Sequence, residues 1–484
     1  MKDTAFIHPS SFILHPSRRQ FLWSGLGFGA MALEGMLRAE EMARTPRTGL
    51  PERPPRAKNV IWLFMRGGFS HLETFDPKPE INRYAGKSIG ATPYKSVQDP
   101  EKLKKVRVVV VNDANGQQRN VIFPLQTKFR PRGQSGIPVS DFFPHLGGCV
   151  DDLAIIRSMW TTDDNHGAQV QFHSGRHMLD GCFPTIGAWT AWGLGSLNEN
   201  LPKFITMGPR FFDTRDGHYL GPAYDAVPLE VDRKEPLMFA SPEVPTPAAL
   251  QREMFGLVGR LDKLSAIRHP DDAALAARIK AYELAFGMQT AIPQILNFKE
   301  ETRETQSLYG LDDKVTRPFG MQLLAARRLV EKGVRFVQIM HGDGAAGAWD
   351  AHSALLKNHT GQCKQVDLPV AGLLTDLKRR SLLDETIVVF ATEFGRTPGS
   401  QSKDGRDHHP YGFSIWMAGG GLKRGVVHGA TDEIGFHAVE HPHYVTDVHA
   451  TLLTLMGLSP HKLEVPGHKR LEMEFGQPIH EIMA

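Results

Sequence analysis

Cysteine is almost missing from this chain. Three residues, Cys149, Cys182 and Cys363, among 484 exclude a disulfide-built scaffold and a cysteine-rich zinc or iron–sulfur site. An excess of one charge is missing too. Lys plus Arg is 56 against 53 Asp plus Glu, a formal net charge of +3. That balance excludes nucleic acid as a partner, which calls for a basic stripe or face. Beyond the N-terminus no apolar run reaches the roughly 18 residues of a membrane-spanning helix, so a multi-span membrane domain is excluded. There is no internal repeat and no low-complexity tract. Hydrophobic residues make up 41% of the chain, enough for a substantial core. The length suits about three domains at ~150 residues each, or one large α/β domain with insertions. The abundant residue is histidine: the chain has 22, roughly twice the usual share.

Near the start stands Ser17-Arg18-Arg19-Gln20-Phe21-Leu22, followed by the mildly apolar, glycine-rich WSGLGFGAMALEGML. Paired arginines before a short apolar run read as a twin-arginine export signal; the competing reading is a basic turn ahead of an amphipathic helix. No clear Ala-x-Ala cleavage site precedes residue 45. Residues 1–45 are therefore expected to be a signal segment and 46–58 a Pro- and Arg-rich linker, with the main domain from 59 to 484. The partner implied is the twin-arginine export machinery. The location implied is periplasmic or extracellular, with or without a retained N-terminal anchor.

NVIWLFM (59–65) is continuously apolar, as a strand buried on both faces should be. Further strands are expected at LAIIRSM (153–159), VRFVQIM (334–340), TIVVFAT (386–392) and FSIWMAG (413–419), and a β-rich run, VRVVVV, lies at 106–111. Helical patterns span 141–152, 166–176, 185–194, 247–264, 271–286, 318–332, 363–379 and 445–456. Strands alternating with helices predict an α/β fold with a doubly wound, mostly parallel sheet sandwiched by helices. Ligands in such sheets bind beyond the carboxyl ends of the strands.

Those ends carry the chemistry. Strand 59–65 runs into Arg66-Gly67-Gly68-Phe69-Ser70-His71. Strand 334–340 runs into His341-Gly342-Asp343 and then Asp350-Ala351-His352, and strand 386–392 into Glu393-Phe394-Gly395-Arg396. Asp407-His408-His409 precedes strand 413–419. Ten of the histidines lie between His341 and His449. Imidazoles mixed with carboxylates suit zinc or manganese better than calcium. The expected ligands of a divalent metal are Asp350, His352, Glu393, His408 and His409, although neighbours in an extended segment point opposite ways, so one of the tandem pair should bind. Asn165 and His166 open a helix where free N–H groups favour an anion. His166 is expected as nucleophile or general acid–base, and Arg66 and Arg396 as clamps on an anion. Asn165, Ser70 and His341 complete the expected substrate surroundings. Each piece has a plainer reading, such as a helix cap, an ion pair or a core histidine.

The strings LFMRGGFSHLETFDPKPE (63–80), NHGAQVQFHSGRHM (165–178), PTIGAWTAWGLG (184–195), WDAH (349–352), ATEFGRTP (391–398), GRDHHPYGFSIWMAGGGLKRG (405–425) and DVHATLLTLMGL (447–458) resemble the domain of unknown function 1501 family. That family is related to the sulfatases within the alkaline-phosphatase superfamily. The resemblance implies an alkaline-phosphatase/sulfatase-like sandwich over 59–484. It also implies a metal-dependent hydrolase of sulfate or phosphate esters, with a small molecule or glycan ester as substrate. The first strand in that superfamily usually ends in a metal-binding Asp; here Arg66-Gly67-Gly68 stands there. Asn165-His166 replaces the usual nucleophile, and Glu393-Phe394 replaces an Asp-His pair. The alternative is a non-catalytic binding or assembly protein on the same scaffold, and a third possibility is a different metal-dependent reaction.

Overall fold

The computed structural model describes residues 52–103, 119–209, 216–233, 236–237, 246–268, 273–465, 467–468 and 476–484. The expected twin-arginine leader, the first part of the linker and the whole run at 106–111 lie outside the described residues.

Nine strands form the main sheet: β1 (Asn59–Met65), β2 (Leu153–Trp160), β3 (Phe204–Met207), β4 (Val227–Pro228), β5 (Phe336–His341), β6 (Thr386–Ala391), β7 (Phe413–Ala418), β8 (Val426–His428) and β9 (His443–Tyr444). Their order is β8-β2-β7-β6-β1-β5-β3-β4, with β9 also along β2. β1 pairs in parallel with β5 and β6, and β7 alone runs antiparallel to its neighbours β6 and β2. The expected α/β, mostly parallel architecture is therefore present.

Alternation along the strands divides the core between two faces. Ile61, Leu63 and Met65 join Val337, Ile339, Val388 and Phe390 on one face. Val60, Trp62 and Phe64 join Ile387, Val389, Ile415 and Met417 on the other. The first face is covered by α5 (Arg317–Glu331) and α6 (Leu355–Arg379). The second is covered by α1 (Ala168–Ser174), α2 (Ile186–Leu194) and α7 (Val445–Leu455). Between them in sequence run the long helices α3 (Ala248–Arg268) and α4 (Ala273–Ile295). Trp189 and Trp192 lie buried in the second face.

Two local readings change. The pattern at 141–152 becomes a short 3-10 turn, Leu146–Asp152. α6 begins at Leu355, eight residues before Cys363. Its buried stripe runs Leu355, His359, Cys363, Val366, Val370, at helical spacing, but a histidine in the stripe breaks the apolar pattern. All three cysteines are free, so Cys149 and Cys182 are not bridged.

Much of the histidine excess is core. The ring of His71 donates Nε2–H to the Gly435 carbonyl at 3.0 Å. His359 Nε2 accepts the Ser70 N–H at 2.9 Å. His341 Nδ1 accepts the Trp349 indole N–H at 3.0 Å. His409 donates Nε2–H to the Phe436 carbonyl at 2.5 Å. Burial pushes His71, His359 and His409 down to about 3 and His341 to about 4, because a charged ring there has lost its water.

Phe390 joins the aromatic part of the first face. It stacks on Trp416 at 5.1 Å and lies 5.6 Å from Phe69 and 6.0 Å from Phe75, ring centre to ring centre. Phe390→Ala should lower stability by about 3–5 kcal/mol; denaturant unfolding showing a loss under about 1 kcal/mol contradicts this packing. The histidines give a pH dependence. Their folded values lie below the unfolded ~6.5, so between about pH 4 and 6.5 the unfolded chain binds protons that the folded chain does not. Stability then rises with pH through that window. Burial raises Asp163 and Asp164 to about 7 and 6, and moves Asp76 and Asp407 in the same direction, which acts in the opposite sense; His408, His428 and His437, lowered by burial, act with the core histidines. The thermal midpoint should fall from pH 7 to pH 5, and a flat profile contradicts the assignment.

Candidate metal centre

Register brings three strand ends together. Met65 pairs with His341, and Phe64 pairs with both Met340 and Ala391. Arg66, Gly342 and Glu393 therefore leave the sheet side by side. The end of β2 joins them through Thr161 N–H, which donates to the Pro410 carbonyl at 2.9 Å. A hairpin, Gly395–Gln401 paired with Gly405–His409, folds over the rim.

The loop carrying Asp350 and His352 is tied to these ends. Trp349 N–H donates to Arg66 O, and Arg406 N–H donates to Ala351 O. Two glycines permit the approach. Gly67 has φ +111, and a Cβ there would lie 2.5 Å from the Asp350 nitrogen; a Cβ on Gly405 would lie 2.1 Å from the His352 carbonyl carbon. Ala354, just past His352, has φ +51, a left-handed conformation uncommon for a residue with a side chain.

Three imidazoles converge on the Asp350 carboxylate. His408 Nε2 lies 3.1 Å and His352 Nε2 3.0 Å from Oδ1, and His166 Nε2 lies 3.4 Å from Oδ2. Arg396 Nη2 donates to Oδ1 at 2.7 Å. Burial alone would raise this carboxyl. The three rings and the Arg396 charge outweigh that effect and hold it far below the usual carboxylate range.

The tautomers are set from behind. His408 Nδ1 lies 2.9 Å from the Asp164 carbonyl, which can only accept, so Nδ1 carries the hydrogen. Burial, opposed by Asp350 and helped by the Arg396 charge, pushes His408 down to about 3, so a second proton on this ring is costly. Its Nε2 faces Asp350 Oδ1 at 3.1 Å. A cation between the two would take the place of that costly proton. His166 is arranged similarly, with Nδ1 3.1 Å from Glu393 Oε1. Burial opposes its protonation, but Asp350 and Glu393 together raise its pKa, so a proton can take a cation's place there. His166, Asp350 and His408 offer ligand atoms within 4.8 Å of one another. The separations of 3.1 and 3.4 Å fit atoms sharing one ion at ~2.0–2.2 Å.

His352 differs. The Gln401 amide, with its oxygen accepting from Arg119 Nη2 at 3.0 Å, donates to Asp407 Oδ1 at 3.1 Å and to His352 Nδ1. His352 then presents Nε2–H to Asp350. A second group, His352, Asp407 and His408, also lies within ligand distance. It shares His408, whose single lone pair serves one ion.

The other expected site residues have different positions. Glu393 is fully buried. Its Oε1 accepts from Gly67 N–H at 2.8 Å, Gln169 Nε2 at 3.2 Å and His166, so it orients His166 and stands outside the ligand group. His409 turns to the opposite side of its strand, as alternation requires, and His408 is the member of the tandem in the cluster. Arg66, expected as an anion clamp, is engaged by the protein itself: its guanidinium donates to Gln169 Oε1 and to the carbonyls of Pro209, Gly342, Gly344 and Ala345. Arg396 likewise donates to the Gly67, Gly68 and Arg406 carbonyls besides Asp350. The Ser70 hydroxyl is buried and donates to Glu73. His341 faces the indole of Trp349, in the core. Asn165 shapes the turn before α1, its Oδ1 accepting His166 N–H at 2.7 Å. Gln169, one helical turn past His166, was not singled out by sequence. Its i+3 spacing from His166 is the signal that places both beside Glu393.

The family model described as "Protein of unknown function (DUF1501)" matches residues 57–483. No curated protein matches the chain. Among solved structures, Ps i-CgsB is similar at 12% identity over 88% of this chain and 75% of that one, with a TM-score of 0.37. The phosphonate monoester hydrolase SpPMH from Silicibacter pomeroyi is similar at 12% identity, covering 70% of this chain and 71% of that one, with a TM-score of 0.35. For the PsFucS1 sulfatase from Pseudoalteromonas sp. the values are 12%, 88%, 72% and 0.33. The match to residues 57–483 establishes that the chain belongs to the DUF1501 family.

Proposed function

We propose that this chain is an exported, divalent-metal-dependent hydrolase of a sulfate or phosphate ester carried by a small molecule or glycan. The observation that carries the reading is the convergence of His166 Nε2 and His408 Nε2 on the Asp350 carboxylate, at 3.4 and 3.1 Å. His166, Asp350 and His408 would hold the metal, with zinc or manganese favoured by two imidazoles and one carboxylate. Such an ion, when bound, supplies Lewis acidity toward an ester oxygen.

The chain's own residues do the rest. Glu393 fixes the His166 ring through Nδ1, and the Asp164 carbonyl fixes His408 through Nδ1, as outer partners of metal-binding histidines do. Arg396 steadies Asp350. Arg66 holds the loop at 342–345. Both arginines are positioning residues. The His352 side chain is 28% exposed, the most open of the three rings, and its Nε2–H, which faces Asp350, is placed to donate a hydrogen bond to an ester oxygen beside that carboxylate. The twin-arginine motif at Arg18-Arg19 supports export.

A second reading, a binding or assembly protein on the same scaffold, is favoured by one observation. Arg66 and Arg396 are engaged by the protein itself, so neither is placed to grip an anion.

Full-length protein purified without chelator should carry about one divalent ion per chain, and EDTA should lower its thermal midpoint. Absence of metal, with no effect of EDTA, contradicts the metal centre. Glu393→Gln should weaken metal affinity by about 10–100-fold; titration showing unchanged affinity removes its orienting role. Nitrophenyl sulfate or phosphate should be turned over. His352→Ala should retain the metal but lose about 10²–10³-fold in kcat. A metal-loaded protein inert toward both esters supports the second reading instead.

A further inference from the structure

α3 carries an apolar face that the rest of the described chain leaves open. Leu250, Met254, Leu257, Leu261 and Leu264 are 48–56% exposed. Their spacings are four, three, four and three residues, the repeat of a coiled-coil seam. One flank of the helix is already used. Phe255 stacks on Phe286 of α4 at 4.3 Å, and Gln251 Nε2 donates to Gln289 Oε1 at 3.0 Å. The leucine side is a second face next to the one packed on α4.

We propose that this face pairs α3 with α3 of a second copy of the chain, antiparallel about a twofold axis. The charges beside the seam select the occupant. Glu253 and Arg260 both stand at the position just before the first seam residue of each heptad, ahead of Met254 and Leu261. In an antiparallel pair these positions face each other across the seam. With Leu250 opposite Leu261 and Met254 opposite Leu257, Glu253 of each copy meets Arg260 of the other. The two contacts are equivalent under the twofold axis, as an isologous interface requires. In a parallel pair the same positions face Val258 and Ser265, and the complementarity is lost. A helix lying on an anionic membrane would place basic residues on both borders of its apolar face; here Glu253 occupies one border.

Sedimentation velocity of the full-length chain across the micromolar range tests this. The wild type should sediment at twice the 53.8 kDa chain mass. Leu257→Glu with Leu261→Glu should weaken association by about a hundredfold or more, because buried carboxylates would lack partners. Circular dichroism should be unchanged, since both leucines are half exposed. Glu253→Arg alone and Arg260→Glu alone should each weaken association about threefold or more, and the two together should restore it. A wild-type monomer at every concentration overturns the proposal. So does a dimer that survives the double glutamate substitution, or a double charge swap that fails to rescue. A monomer that binds vesicles of anionic phospholipid assigns the face to a membrane surface and overturns self-association equally.

Discussion

A buried imidazole set against a carboxylate oxygen is the contact around which this rim is organised. His408 gives its Nδ1 hydrogen to the Asp164 carbonyl, and Asp350 Oδ1 already accepts from Arg396. Burial penalises a second proton on the ring, yet the fold holds its Nε2 3.1 Å from the carboxylate. A buried arrangement of this kind persists only where surrounding structure enforces it or a cation relieves it. Both conditions are built in. Four sheet and loop segments fix the geometry, and His166 adds a third donor from a different direction.

The surrounding charges serve that contact. Glu393 is a buried carboxylate satisfied by Gly67 N–H, Gln169 and His166. It faces the ring of His166 and not the shared centre. Arg396 crosses beneath Asp350 and binds the Gly67 and Gly68 carbonyls, which links the end of β1 to the loop after β5. Arg66 fastens the far side of that loop. Two arginines that resemble anion clamps in the primary chain are thus the struts of the site, and their donors are spent before any substrate arrives. The most open imidazole, His352, is left facing both this centre and solvent.

The scaffold was readable because strands buried on both faces must be apolar throughout. Asn59–Met65, Phe336–His341 and Thr386–Ala391 show that property directly, and their carboxyl ends lead to the right loops. Asp350, His352 and His408 followed from position alone. Other roles depended on information that a sequence does not carry. Glu393 looks like a ligand by residue type, and only its three donors reveal that it orients one. His408 and His409 are separated by strand alternation, but which of them faces the rim depends on the register of the hairpin, where a bulge falls between Arg406 and His408. α6 was read short because His359, a buried ring bonded to Ser70 N–H, occupies a place where an apolar residue was sought. The same substitution of histidine for aliphatic residues explains the unusual histidine count: His71, His341, His359 and His409 are core residues.

The account stands or falls on where a divalent ion goes. A crystal grown with zinc, with diffraction recorded on both sides of the zinc absorption edge, locates it directly. The account predicts one strong anomalous peak per chain, within about 2.0–2.2 Å of His166 Nε2, His408 Nε2 and an Asp350 oxygen. Glu393 and His409 should stay outside that distance. A fully loaded crystal with no peak at these atoms, or with its zinc bound elsewhere, would contradict it.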